Sequence, residues 1–310
     1  MSLETKLIGP LVLEPIFQER IWGESSLEPW FAKSGLAKPV GEAWLTAAEC
    51  AVSAGSLKGL TLGEAAVRFP ALLGDEAVGG FPLLIKILFP REKLSVQVHP
   101  NDAQARAAGL PNGQGKTECW YVLSAEAGAT VAVGFNEEMS LEQIRAAVGD
   151  GAVETLEEKM YQLPVKAGDM VYVEAGTVHA IGPGVVILET QQYSDVTFRL
   201  FDYGRARQLH LDEGLAVTRV TTGAEVFPAV DRGDRVELVR SDYFVVDKFE
   251  GDKDLGFEGE LQLLIALGEG SSVEWAGGSM MLAKAQAVVL PGEGVGYRVS
   301  GVGEVVRVRR

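Results

Sequence analysis

In GDMVYVEAGTVH, residues 168–179, an apolar strand pattern runs into a small-residue turn at Gly176 and delivers a histidine three residues later. Val171, Tyr172 and Val173 are the β-branched and aromatic types that pleated strands favour. His179 is one of only 3 histidines in 310 residues. A second, His99, ends a similar run: LSVQVHPND, residues 94–102, is a short strand closed by a proline turn. Residues i and i+2 of a strand face one side, so Gln97 and His99 point together, and Ser95 with them.

Outward from these stretches, most of the chain is short β-type runs broken by Gly, Pro and Asp. PLLIKILF (82–89), ECWYVLS (118–124), TVAVGF (130–135) and VVILETQ (185–191) are examples. Runs this short and this regularly interrupted indicate a sandwich or barrel, so the expected class is mainly β. Helical patterns are few. Asn101 is a candidate N-cap, and SLEQIRAAVGDG (140–151) opens on a Ser-x-x-Gln capping box. TLGEAAVRFPALLG (61–74) is a third helical pattern, cut by Pro70.

The totals narrow the function class. At 310 residues and 47% apolar content, one large or two modest domains are expected. A net charge of −15 repels nucleic acid and anionic membrane, which sets both aside as partners. An anionic substrate must then meet a local cluster of Lys and Arg. Cys50 and Cys119 make no disulfide framework, MSLETKLIGPL lacks the apolar core of a signal peptide, and no 18-residue apolar run occurs. The expectation is a soluble cytoplasmic protein.

The chain also matches itself. KAGDMVYVEAGTVHAI from Lys166 aligns without a gap on KAQAVVLPGEGVGYRV from Lys284, and ECWYVLSAEAG from Glu118 on ELQLLIALGEG from Glu260. The separations of the two pairs differ by about the length of the helical stretch between them. Two β-modules follow: residues 1–218, carrying a helical insert at about 137–160, and residues 219–310. His179 falls on Tyr297, and the second module has no histidine. If a metal binds anywhere, it should bind the first module.

Gln97, His99, Glu118 and His179 together offer two imidazoles, a carboxylate and an amide oxygen. Such a set can surround one divalent ion inside a barrel, and its imidazoles favour a Zn-like transition metal without excluding Mn, Fe or Co. Taken singly, each has a plainer reading: a strand-end histidine is ordinarily structural, and a glutamate that opens a strand is ordinarily solvated.

GDMVYVEAGTVH fits G-D-x6-G-x2-H and resembles the second motif of cupins, where the turn sets a histidine at a barrel mouth. Four blocks, the last overlapping this motif, carry a closer resemblance: PLVLEPIFQERIWG (10–23), PLLIKILFPREKLSVQVHPND (82–102), GKTECWYVL (115–123) and AGTVHAIGPGVVILETQQYSDVTFRLFDYGR (175–205). With these the chain resembles type I mannose-6-phosphate isomerases in their short bacterial form. GEAWLTAAECAVSAG (41–55) follows the family's pattern less fully.

The resemblance implies two cupin (jelly-roll) modules, the second degenerate and metal-free. It implies a metal-dependent aldose–ketose isomerase interconverting mannose 6-phosphate and fructose 6-phosphate. One zinc per chain would sit on Gln97, His99, Glu118 and His179. The catalytic arginine falls on Arg199, sugar-side lysines on Lys86 and Lys116, a serine of the metal strand on Ser95, and a cation six residues past Arg199 on Arg205. The implied partner is a small-molecule sugar phosphate, and monomer and homodimer both remain open.

Aldose–ketose isomerisation moves a proton between C2 and C1 through an enediol. It asks for a Lewis acid, a fixed cation and a proton shuttle. Glu189 and Lys116 are the shuttle candidates, and Glu189 is preferred because a carboxylate beside a metal and Arg199 stays ionised. Without the family, Arg199 reads as a surface ion-pair partner of Asp195 or Asp202. Lys86, inside an apolar run, must pair or snorkel. Two rivals stand beside the isomerase. A non-catalytic sugar-phosphate-binding cupin would keep the metal without turnover. A cupin oxygenase fits a Gln/His/Glu/His set poorly, because the fourth protein ligand takes an open position.

Overall fold

The strand Leu83–Leu88, LLIKIL, is buried at every residue in the computed structural model, which describes residues 8–74, 81–149, 153–255, 259–292 and 296–310. Both of its faces are covered, so an apolar run interrupted only by Lys86 replaces alternation. Leu83, Ile85 and Ile87 pack into a core shared with Leu263, Ile265, Val306 and Val308 near the other end of the chain. Leu88 joins a separate cluster with Trp120, Val122 and Val133.

Two sheets build the first barrel. A six-stranded sheet runs in the order Met170–Val173, Glu118–Ala125, Val185–Gln192, Leu83–Leu88, Val40–Trp44, Ile16–Glu24. A five-stranded sheet runs Phe198–Phe201, Val96–Val98, His179–Ile181, Thr130–Phe135, Met160–Pro164. The expected mainly β, cupin-like fold is what forms.

The C-terminal strands repeat both orders. One sheet runs Ala287–Leu290, Gln262–Ala266, Val305–Arg309, Val245–Phe249, Val236–Arg240, Val230–Asp231. The other runs Lys253–Asp254, Arg298–Gly301, Ser271–Trp275, Gly278–Met281. The larger one gains two strands from the N-terminal part of the chain: Leu11–Leu13 pairs with Ala287–Leu290 and carries Val52–Ala54 on its far side. The two halves are thus joined by backbone pairing as well as by the apolar core between their large sheets.

Three helices fall where local signals put them, whereas Leu211–Val217 forms without a side-chain cap. Leu62–Arg68 begins at a reciprocal Thr61/Glu64 capping box and stops before Pro70. Asp102–Ala107 is capped by Asn101 with Gln104 in the same manner. Ser140 and Gln143 exchange hydrogen bonds at the start of Leu141–Gly149, which Val153–Lys159 follows. Among the described residues no helix is long and apolar enough to cross a membrane.

One irregularity shapes the functional end. On the edge strand Ile16–Glu24, both Glu19 and Glu24 pair with Val40, so residues 20–23 bulge out. Gly23 makes this close approach workable: a Cβ there would lie 2.3 Å from the Val40 carbonyl carbon. The bulge carries Arg20 and Trp22 to the mouth of the barrel.

Candidate metal centre and substrate cavity

Gln97 stands directly opposite His179 across paired strands, and His99 follows two residues on. The Glu118–Ala125 strand brings Glu118 between the two imidazoles. His99 Nε2 lies 3.5 Å from one Glu118 oxygen, and His179 Nε2 lies 3.5 Å from the other. The Gln97 amide is 3.2 Å from His179 Nε2. His99, Glu118 and His179 are at most 1% exposed, and their ligand atoms fall within 4.8 Å of one another.

The far side of each imidazole shows what the near side is for. His99 Nδ1 donates to the Val196 carbonyl at 2.8 Å, and His179 Nδ1 to the Thr177 carbonyl at 2.9 Å. A carbonyl only accepts, so the hydrogen sits on Nδ1 and both Nε2 lone pairs face Glu118. Burial holds both histidines below their usual pKa, with Lys116 adding to the effect, His99 far below. For Glu118, burial opposes ionisation, but Lys116 and His179 outweigh it and keep the carboxyl below its usual range. Two neutral imidazoles and a carboxylate with converging lone pairs are a donor set for a divalent transition metal. In the structure the Lys116 ammonium rests on Glu118 and lies 3.2 Å from His99 Nε2. Trp120 Nε1 donates to Glu118 Oε1 at 2.9 Å.

Gln97 and Lys116, which touch the His179 and His99 rings, line a cavity of about 470 Å³. Glu189 and Lys86 are directly opposed across paired strands and both face it. Lys86 Nζ is 3.8 Å from Glu189 and 3.2 Å from Asp195, and it lies over the Trp44 ring. Burial opposes its charge, yet Glu42, Glu189 and Asp195 together raise its pKa. Lys116 Nζ is 3.6 Å from Glu189. Burial, with Glu118 and Glu42 nearby, pushes the Glu189 carboxyl up to about 7 against the pull of Lys116 and Lys86. A carboxyl poised there can accept and return a proton at neutral pH.

Arg199 also lines the cavity and donates to the Gln208 carbonyl at 2.8 Å. Its guanidinium has no carboxylate within salt-bridge reach among the described residues. Ser95 lines it too and donates to the Gln97 amide oxygen. Ser95, Lys86, Lys116, Glu189 and Arg199 therefore gather at one cavity above His99, Glu118 and His179. Arg205 does not join them: Asp202, Glu92 and the Lys93 carbonyl hold its guanidinium elsewhere.

Several lining residues carried no signal when read singly. Arg20 grips Glu42 through two 3.1 Å hydrogen bonds, and Glu42 also accepts from Trp44 Nε1 at 2.6 Å. A strand bulge and a neighbouring edge create this arrangement, and neither shows in hydrophobic periodicity. Arg207 lines the cavity two residues past Arg205.

Comparison with known proteins agrees with this geometry. A family model described as phosphomannose isomerase type I, catalytic domain, matches residues 11–118. The mannose-6-phosphate isomerase of Streptococcus mutans is 38% identical over 255 residues, covering 78% of this chain and 78% of that protein. A mannose-6-phosphate isomerase of Bacillus subtilis is 40% identical over 222 residues, 68% of each chain. The crystal structure of a mannose 6-phosphate isomerase from Bacillus subtilis matches with a TM-score of 0.85 at 27% identity, covering 97% of this chain and 99% of that one.

Proposed function

This chain belongs to the type I mannose-6-phosphate (phosphomannose) isomerase family, and on that premise we propose that it interconverts mannose 6-phosphate and fructose 6-phosphate at the cavity above His99, Glu118 and His179. The observation that carries the reading is the pair of imidazoles locked with their Nε2 lone pairs toward Glu118, and joined through Gln97 and Lys116 to a cavity lined by Glu189, Lys86 and Arg199.

His99, Glu118 and His179, with Gln97, would hold one metal ion, which we assign as zinc. Bound there, it supplies Lewis-acid polarisation of the sugar oxygens. Glu189 takes the proton from C2 and returns it to C1, while the hydroxyl proton passes in the same sense, from O2 to O1. Its pKa near 7 suits both directions. Lys86 and Lys116 flank Glu189 and offer cationic donors to sugar hydroxyls. Arg199 meets the developing enediol charge with a cation that does not titrate. Ser95 holds the Gln97 amide. The two buried thiols, Cys50 and Cys119, are free, which fits a reducing cytoplasm.

The test is a coupled isomerase assay with mannose 6-phosphate on metal-quantified protein, before and after EDTA. About one metal per chain and loss of turnover on chelation are expected. Full turnover from metal-free protein, or no turnover from metal-loaded protein, would end this reading.

A further inference from the structure

The five cations that line the cavity are not equivalent. Lys86 and Lys116 both lie within 4 Å of Glu189, and Arg20 is committed to Glu42. On the remaining wall Arg199 and Arg207 stand near enough that Arg207 helps lower the Arg199 pKa. Arg199 Nε is buried and has no hydrogen-bond partner among the described residues. Two guanidiniums face the cavity here, and of the two only Arg207 is paired with a carboxylate among the described residues, which leaves a local surplus of positive charge in a protein of net charge −15.

That carboxylate is Asp202, 2% exposed. It accepts from Arg207 Nε at 2.6 Å and from Arg207 Nη2 at 2.5 Å, a two-point grip. The grip leaves Arg207 Nη1, with two N–H donors, without a partner among the described residues. A tight turn explains why Arg207 and not Arg205 arrives here. Tyr203 and Gly204 have φ of +54° and +74°, and Arg205 N donates to the Asp202 carbonyl. A left-handed tyrosine is an uncommon and strained conformation, held here by edge-on packing of Tyr203 against Phe201 at 4.9 Å. The turn sends Arg205 toward Glu92 and lets Arg207 fold back onto Asp202 beside the cavity.

We propose that Arg207, oriented by Asp202, binds the phosphoryl group of the substrate beside Arg199 and sets the preference for phosphorylated over free sugar. This rests on the isomerase reading for the identity of the ligand, a sugar phosphate, but not for its binding.

The experiment compares wild type, Arg207→Ala, Arg207→Lys and Arg205→Ala. Each is assayed with mannose 6-phosphate and with free mannose, and each is titrated calorimetrically with sorbitol 6-phosphate, an acyclic sugar phosphate without the reactive carbonyl. Arg207→Ala should weaken sorbitol 6-phosphate binding and raise KM for mannose 6-phosphate by about 10- to 100-fold, as loss of charge-assisted hydrogen bonds predicts. Its kcat/KM for free mannose and its metal content should stay within about 3-fold of wild type on the same principle, since the lost contacts reach only the phosphoryl group. Arg207→Lys, keeping charge without the fork, should fall between. Equal losses on both sugars, unchanged sorbitol 6-phosphate binding, or a larger loss in Arg205→Ala would each overturn the proposal. Wild type that binds sorbitol 6-phosphate through Arg207 yet isomerises nothing would sink the isomerase reading and leave this one standing.

Discussion

The two halves of the molecule thread the same strand order and fill their barrels with opposite chemistry. In the first, Glu189 faces Lys86 on one neighbouring strand and Trp120 on the other, with Glu118 two residues from Trp120. In the second, Arg307 faces Asp247 and Leu264, with Gln262 two residues from Leu264. Arg307 thus stands where Glu189 stands, Asp247 for Lys86 and Gln262 for Glu118. Arg307 makes two hydrogen bonds to Asp247, at 2.9 and 2.8 Å, and a third to Gln262 at 3.2 Å. The first barrel leaves converging lone pairs that call for an added cation. The second supplies its own cation from a neighbouring strand and closes. Tyr297, aligned with His179, is buried in that closed interior. One scaffold yields a site where two imidazoles converge on a carboxylate beside a cavity, and a plug where an arginine hydrogen-bonds directly to an aspartate and a glutamine.

That contrast can be broken most forcefully at the open barrel. Glu118→Ala should lose the metal and about 10³-fold or more of turnover, the worth of several kcal/mol of Lewis-acid stabilisation. Gln262→Ala should leave both unchanged. Metal analysis with initial rates decides it, and a fully active Glu118→Ala protein would contradict the assignment.

In the closed barrel the expected loss is of stability. Asp247→Ala strands Arg307, 5% exposed, without its main partner, and should cost about 3–5 kcal/mol in urea unfolding. Turnover per folded molecule should hold. Replacing both together, Asp247→Leu with Arg307→Met, should recover most of that loss, because apolar groups of similar size often match a buried ion pair.

A pH profile probes the open barrel more gently. On the proposed mechanism Glu189 must be ionised to accept the C2 proton, and its pKa is raised to about 7. Below that pH the protonated, inert form dominates, so kcat should fall about tenfold per unit on the acid side. Glu189→Gln should remove this limb along with the activity. A profile flat from pH 5 to 8 in the wild type would exclude Glu189 as the base.

The smallest effect is expected at Tyr297. Its buried hydroxyl has no hydrogen-bond partner among the described residues. Tyr297→Phe should therefore change stability by no more than about 1 kcal/mol, in the stabilising direction. A clear destabilisation would show that the hydroxyl is satisfied in solution.

Much of the site was legible because strand periodicity is local. Two-residue spacing places Gln97 beside His99 without any tertiary knowledge, and the turn at Gly176 announces His179. Matching the halves without gaps was less exact. It sets Glu118 on Glu260, whereas strand pairing sets it on Gln262. Leu290 and Tyr297 are also one residue further apart in sequence than Val173 and His179. A slip of two residues keeps every side chain on the same face, so an apolar pattern cannot detect it. The division into residues 1–218 and 219–310 misses one thing of the same kind: Leu11–Leu13 pairs with Ala287–Leu290, and edge pairing leaves no mark on a short apolar strand.

By itself the sequence determined the β class, the helix starts at Thr61, Asn101 and Ser140, and the metal-ligand candidates, because periodicity, capping and donor chemistry act over a few residues. Only the tertiary structure decided that Lys86 opposes Glu189, that Arg20 holds Glu42, and that Arg207 rather than Arg205 reaches the cavity. Those outcomes depend on which strands neighbour one another and on how one strained turn redirects the chain, and both are set by packing across the whole molecule.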